Sequence, residues 1–97
     1  MESLQELREQ LDVIDHQIVK LYEDRMAICE KVGDLKALTG RAIFDPVREE
    51  AKLADVASMV SADSNKEGIR EVFQLLMRLS RKRQHEKSAV CKNEEGK

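Results

Sequence analysis

The stretch LQELREQLDVIDHQIVKLYEDRMAICEKVGDLKALT, residues 4–39, decides the fold. Leu4, Leu7, Leu11, Ile14, Ile18 and Leu21 follow one another at spacings of 3, 4, 3, 4 and 3, the seam of an amphipathic helix. With one shift of phase the pattern continues through Tyr22, Arg25, Ile28, Val32, Leu35 and Leu38. No proline interrupts it, and the single Gly33 costs a helix about 1 kcal/mol, too little to end it. Ser3 and Glu6 fit a capping box, and Gly40 supplies a stop. The spacing therefore predicts one helix over residues 4–39, about 54 Å long at 1.5 Å per residue.

Working outward, that length is out of proportion to the chain. A compact domain of about 100 residues has a radius of gyration near 13 Å, and this one has 97 residues. The remainder is too short to cover the long seam, so the arithmetic predicts a second copy of the same helix, a homodimer. After a short connection, Asp45-Pro46 opens a second helix as N-cap and first helical residue. Val47, Leu53, Val56, Ala57 and Val60 carry it to about Ser61. A polar turn over 62–66 follows, with Ser64 and Glu67 able to cap a third helix. Ile69, Val72, Phe73, Leu75, Leu76 and Leu79 extend that helix to about His85. Periodicity is lost from Lys87, which predicts a domain over 1–86 and a flexible polar tail over 87–97. No segment alternates with period two, so the fold class is all-α with three helices, long, shorter and medium.

Composition narrows the function classes. Seventeen Lys and Arg face nineteen Asp and Glu, net −2, which argues against wholesale nucleic-acid binding but not against a local basic pocket. No run of eighteen apolar residues and no signal-peptide core are present, which predicts neither membrane partner nor secretion. Cys29 and Cys91 are far apart and read as free thiols of a reducing, cytoplasmic compartment. His16 and His85 have no ligand spacing, so no metal or other cofactor is expected.

Several polar residues fall where a ligand site could form. Arg25 and Lys36 are eleven positions apart and lie within about 20° on one helix face. Arg8 lies roughly 100° around from Arg25 and would serve that stripe only in a partner chain. Asp45, Arg48 and Glu49 share the first turn of the second helix, and Ser80 and Gln84 are an i, i+4 pair on the third. The set has no nucleophile–base pair and reads as a clamp for a small polyanion. Taken singly, each has an ordinary explanation: Asp45 as a cap, the cations as solvated side chains, Gln84 beside the basic end formed by Arg81, Lys82 and Arg83. Spacing alone leaves a ligand-binding dimer and a non-enzymatic helical dimerisation module both open.

The ordered set also resembles a family. Leu7-Arg8-Glu9 with Ile14-Asp15, then Arg25-Met26, Val32-Gly33-Asp34-Leu35-Lys36, Asp45-Pro46-Val47-Arg48-Glu49 and Phe73-Gln74-Leu75-Leu76-Met77 with Ser80 and Gln84 resemble the all-helical chorismate mutases. The likeness runs from about residue 4 to 86. It implies an intertwined homodimer with two shared active sites and the rearrangement of chorismate to prephenate, a step toward phenylalanine and tyrosine. By the same resemblance Arg8 would reach a substrate carboxylate in the partner's site, and Arg25 would hold one in its own. Lys36 and Gln84 would donate to the ether oxygen of the breaking bond. Glu49, with the backbone near Asp45, would bind the ring hydroxyl, and Arg48 and Ser80 would complete the shell. Such a reaction needs orientation and charge stabilisation, not a base or cofactor. A related scaffold implies the alternative of an isochorismate-pyruvate lyase. The likeness fits a free-standing enzyme and the mutase part of a fusion, for example to prephenate dehydratase, equally well.

Overall fold

A computed structural model describes the backbone of residues 1–95 and side chains through Lys87. Helix α1 spans Leu4–Thr39, α2 spans Pro46–Met59, and α3 spans Lys66–Glu95, preceded by a 3-10 turn over Asp63–Asn65. The long first helix has the bounds its sequence predicts. Ser3 Oγ accepts from the Glu6 amide at 3.1 Å, which satisfies one of the unpaired N–H groups of the first turn. At the far end Gly40 takes φ 71°, a left-handed conformation that glycine adopts without steric cost, and the chain leaves the helix there.

Helix α2 begins as its Asp-Pro start requires, Asp45 Oδ1 accepting from the Arg48 amide at 3.0 Å. It ends at Met59, two residues short of the Ser61 expected, because Val60 is already extended. The expected Ser64–Glu67 cap is replaced by the 3-10 turn, where the Asp63 carboxylate pairs with Lys66 at 3.1 Å.

The third helix departs most from expectation. It continues about ten residues beyond His85, as far as Glu95, through most of the segment expected to be a tail. Residues 86–95 contain neither glycine nor proline, so nothing in them breaks the helix even where the apolar period is lost. Gly96 and Lys97, also in that expected tail, lie outside the described residues, as does the side chain of Cys91. Cys29 is a buried free thiol. No helix among the described residues is long and apolar enough to cross a membrane.

Helix α3 packs against both α1 and α2, which do not pack on each other. Among the described residues the buried apolar ones are few: Met26 and Cys29 on α1, Leu53 and Val56 on α2, and Met77 on α3. Gly33 permits the closest approach of α1 to α3. A Cβ at that position would lie 3.0 Å from Gln84 Cα. Ion pairs flank the packing, Glu30 to Arg83 at 3.0 Å between α1 and α3, and Glu49 to Arg81 at 2.8 Å between α2 and α3.

The shape follows from the long helix. The Cα extents are 63 × 28 × 13 Å and the radius of gyration is 17.5 Å, well above the ~13 Å of a compact domain this size. Thirteen ångströms is little more than one helix diameter. With no second layer, Leu4, Leu7, Leu11, Ile14, Ile18 and Leu21 of the seam are all exposed.

Candidate active site

Because α1 and α2 both lean on α3 without meeting, a cleft opens between them, floored by α3 and closed on one side by residues 41–45. Its volume is about 930 Å³. Seven of the eight residues singled out from the sequence line it: Arg25, Lys36, Asp45, Arg48, Glu49, Ser80 and Gln84. They come from three helices, and the periodic spacing within each helix aims them at one space.

Arg8 is the one that does not join them. It is exposed on α1, seventeen residues or roughly 25 Å of helix axis before Arg25. No bend of a continuous helix brings it into its own chain's cleft.

Each remaining side chain is held by a specific neighbour. An Arg25 Nη1–H donates to Ser80 Oγ, while Ser80 donates its own proton to the Leu76 carbonyl at 2.7 Å. Ser80, itself buried, thus spends its hydroxyl proton on the helix and its lone pairs on the guanidinium. That arrangement fixes Arg25 at one end and leaves its other N–H groups for a ligand. Cys29 Sγ lies 3.9 Å from the same Arg25 nitrogen. Lys36 Nζ donates to the Ile43 carbonyl at 2.8 Å, tying the end of α1 to the connection that precedes α2. An ammonium has three donors, so two remain.

Gln84 is 7% exposed, and its Oε1 is enclosed with no hydrogen-bond partner among the described residues. A buried amide left so costs free energy. Its NH2 makes no hydrogen bond among the described residues either, and so is available to a ligand in the cleft. Asp45 is used as the cap of α2. Arg48 stands exposed at the rim, and its side chain makes no ion pair among the described residues.

The cleft also contains cations outside the set predicted from the sequence. Arg41, Lys52 and Arg81 line it. The sequence places Arg81 in a basic run with Lys82 and Arg83, yet its guanidinium bonds Glu49 and lies 4.6 Å from the centre of the Phe44 ring. The available signal was position: Arg81 follows Ser80 and precedes Gln84 by three, so it shares their side of the helix. With these included, Arg25, Lys36, Arg41, Arg48, Lys52 and Arg81 face only Asp45 and Glu49. A chain of net charge −2 therefore carries a strongly cationic cleft. Such a site suits a small ligand with more than one anionic group, positioned by forked guanidinium contacts and one neutral amide.

The family model described as Chorismate mutase type II matches residues 7–85. The chain is 31% identical over 78 residues to the protein named "Chorismate mutase" of Methanocaldococcus jannaschii, covering 79% of each. It is 28% identical over 81 residues to "Bifunctional chorismate mutase/prephenate dehydratase" of Aquifex aeolicus, covering 84% of this chain and 17% of that protein. To the "T-protein" of Haemophilus influenzae it is 36% identical over 53 residues, 55% of this chain and 14% of the relative. The chain thus spans about a sixth and a seventh of these two longer relatives. No solved structure gives a significant match.

Proposed function

The chain belongs to the chorismate mutase type II family, and on that premise we propose that it catalyses the intramolecular [3,3] rearrangement of chorismate to prephenate, a step of aromatic amino acid biosynthesis. The observation that supports this most is the convergence of Arg25, Lys36 and the buried, unpartnered Gln84 on one cationic cleft. The reaction breaks a C–O bond and forms a C–C bond within one molecule, so no proton has to leave and no nucleophile has to attack. The protein must hold the chair-like conformer and stabilise the charge gathering on the ether oxygen.

In this reading Arg25, braced by Ser80, binds a substrate carboxylate by a forked contact. Arg48 at the rim adds to the carboxylate shell. Lys36 spends one donor on Ile43 and turns another to the ether oxygen, and the Gln84 amide donates to the same atom. Donors fixed before the substrate arrives need no reorganisation as the charge develops, which is what lowers the barrier. Glu49, with the backbone near Asp45, receives the ring hydroxyl.

The second carboxylate is assigned to Arg8 of another copy of the chain. Two features support a homodimer with shared sites: the uncovered apolar seam of α1, and the distance of Arg8 from its own cleft. Arg8→Ala and Lys36→Ala dimers should each be inactive. Mixed and allowed to exchange subunits, they should regain about a quarter of wild-type activity, because half the dimers form as hybrids with one unblemished site. Loss of chorismate absorbance is the readout. Hybrids that form and stay inactive would remove Arg8 from the shared site, and a wild-type protein that leaves chorismate unchanged would overturn the assignment altogether.

A further inference from the structure

Resting on that reading of the cleft, we infer that Arg81 is a positioning residue that holds Glu49 in the orientation needed to receive the substrate's ring hydroxyl, with Phe44 keeping Arg81 in place. The argument begins with the two oxygens of the Glu49 carboxylate. Oε1 accepts from Arg81 Nη1 at 2.8 Å, and Oε2 makes no hydrogen bond among the described residues. One oxygen is tethered and the other is left to accept a hydroxyl proton.

The tether itself is braced. The Arg81 guanidinium lies 4.6 Å from the centroid of the Phe44 ring while it bonds Glu49. A planar guanidinium stacks through its face and donates through its edge at the same time, which an ammonium does not do. Phe44 immediately precedes Asp45, the cap of α2, so the contact also pins the start of α2 to α3. Neither partner is freely solvated, the Arg81 and Glu49 side chains being 29% and 21% exposed. Partial burial reduces screening and makes the orientation more persistent than in a surface pair.

The tether matters because of what else lines the cleft. Arg25, Lys36 and Arg48 are the cations assigned to the substrate, and Glu49 shares the space with them. A free Glu49 carboxylate is drawn to any of the three, and such a pair removes an acceptor for the hydroxyl and a cation for a carboxylate together. Arg81 satisfies Glu49 with a cation that the substrate does not use.

Steady-state kinetics on chorismate for wild type, R81Q, R81K, E49Q and the E49Q/R81Q double variant, with Tm measured on each, test the inference. R81Q should lower kcat/KM about tenfold, as for loss of one oriented charge-assisted contact. R81K should recover part of that loss, keeping the charge without the stack. In the E49Q background R81Q should add little, because Arg81 acts through Glu49. Phe44→Leu keeps the ion pair and removes the stack, and should give a smaller loss that also vanishes with E49Q; it carries the same cycle if R81Q does not fold. Losses that add in the double variants, or R81Q kinetics equal to wild type, overturn the role of Arg81 while leaving the mutase assignment intact. A wild-type protein inactive on chorismate overturns both.

Discussion

Gly33 shows how a single residue can be read correctly for the wrong reason. In the sequence it is a tolerated flaw in a long helix, and the helix does run through it. In the structure its missing side chain is what brings α1 against the backbone of Gln84. Alanine would gain about 1 kcal/mol of helix propensity. It would also place a methyl 3.0 Å from backbone atoms that cannot step aside, an overpacking cost of about 1–3 kcal/mol. Gly33→Ala should therefore lower Tm on balance and, by shifting Gln84, reduce kcat more than it raises KM; thermal denaturation and kinetics on the same sample check both. Gln84 carries a second expectation. An amide donates at every pH, so wild-type activity should stay level between pH 5 and 8. Gln84→Glu donates only when protonated, so its activity should be highest at acid pH and fall as pH rises. Equal pH profiles for the two proteins would remove Gln84 from the ether oxygen.

At the scale of helices, legibility followed burial. The seam of α1 and its two stops are strong signals, and the helix has the predicted bounds. The end of α3 was not legible, since beyond His85 the sequence carries no apolar period to read, while the backbone continues for want of a breaker. Seven of the eight candidate residues were found because each recurs at helical spacing with another, and the cleft collects them. Arg81 was missed because its neighbours Lys82 and Arg83 made it look like one charge of a solvated run. Which carboxylate it meets depends on how α2 lies across α3, a matter of tertiary packing that no local pattern encodes. The exposed seam of α1 carries its own prediction. Ile14→Glu places a charge in the middle of the apolar stripe, so, with two copies paired along it as proposed, it should abolish the dimer in sedimentation and lower far-UV helicity with it. Chorismate turnover should disappear with it, since Arg8 would no longer reach a second cleft.

For the molecule as a whole, the bulk numbers misdirect. A net charge of −2 describes the average surface and hides a cleft in which six cations face two carboxylates. The excess negative charge is therefore carried outside the cleft, where it favours solubility without opposing an anionic ligand locally. Small size misdirects in the same way. A 97-residue chain would ordinarily close a core of its own, but here five apolar residues are buried among the described residues, and none of the leucines and isoleucines of α1 is among them. The long helix accounts for this, because a rod of that length cannot be wrapped by the fifty-odd residues that remain after it and its connection.

The 13 Å thickness has a consequence for how the protein is handled and kept. In the proposed homodimer a layer this thin closes its core against the other copy, which builds concentration into its folding equilibrium, so Tm should be a function of dilution. Each tenfold dilution should remove about 1.4 kcal/mol of dimer stability, and melting curves taken across a thousandfold range of protein should march downward together. A Tm that ignores dilution would mean that the single layer stands by itself. In the cell, the same dependence would make the amount of chain synthesised a determinant of how much of it is folded at all, so that expression level and specific activity rise together rather than independently.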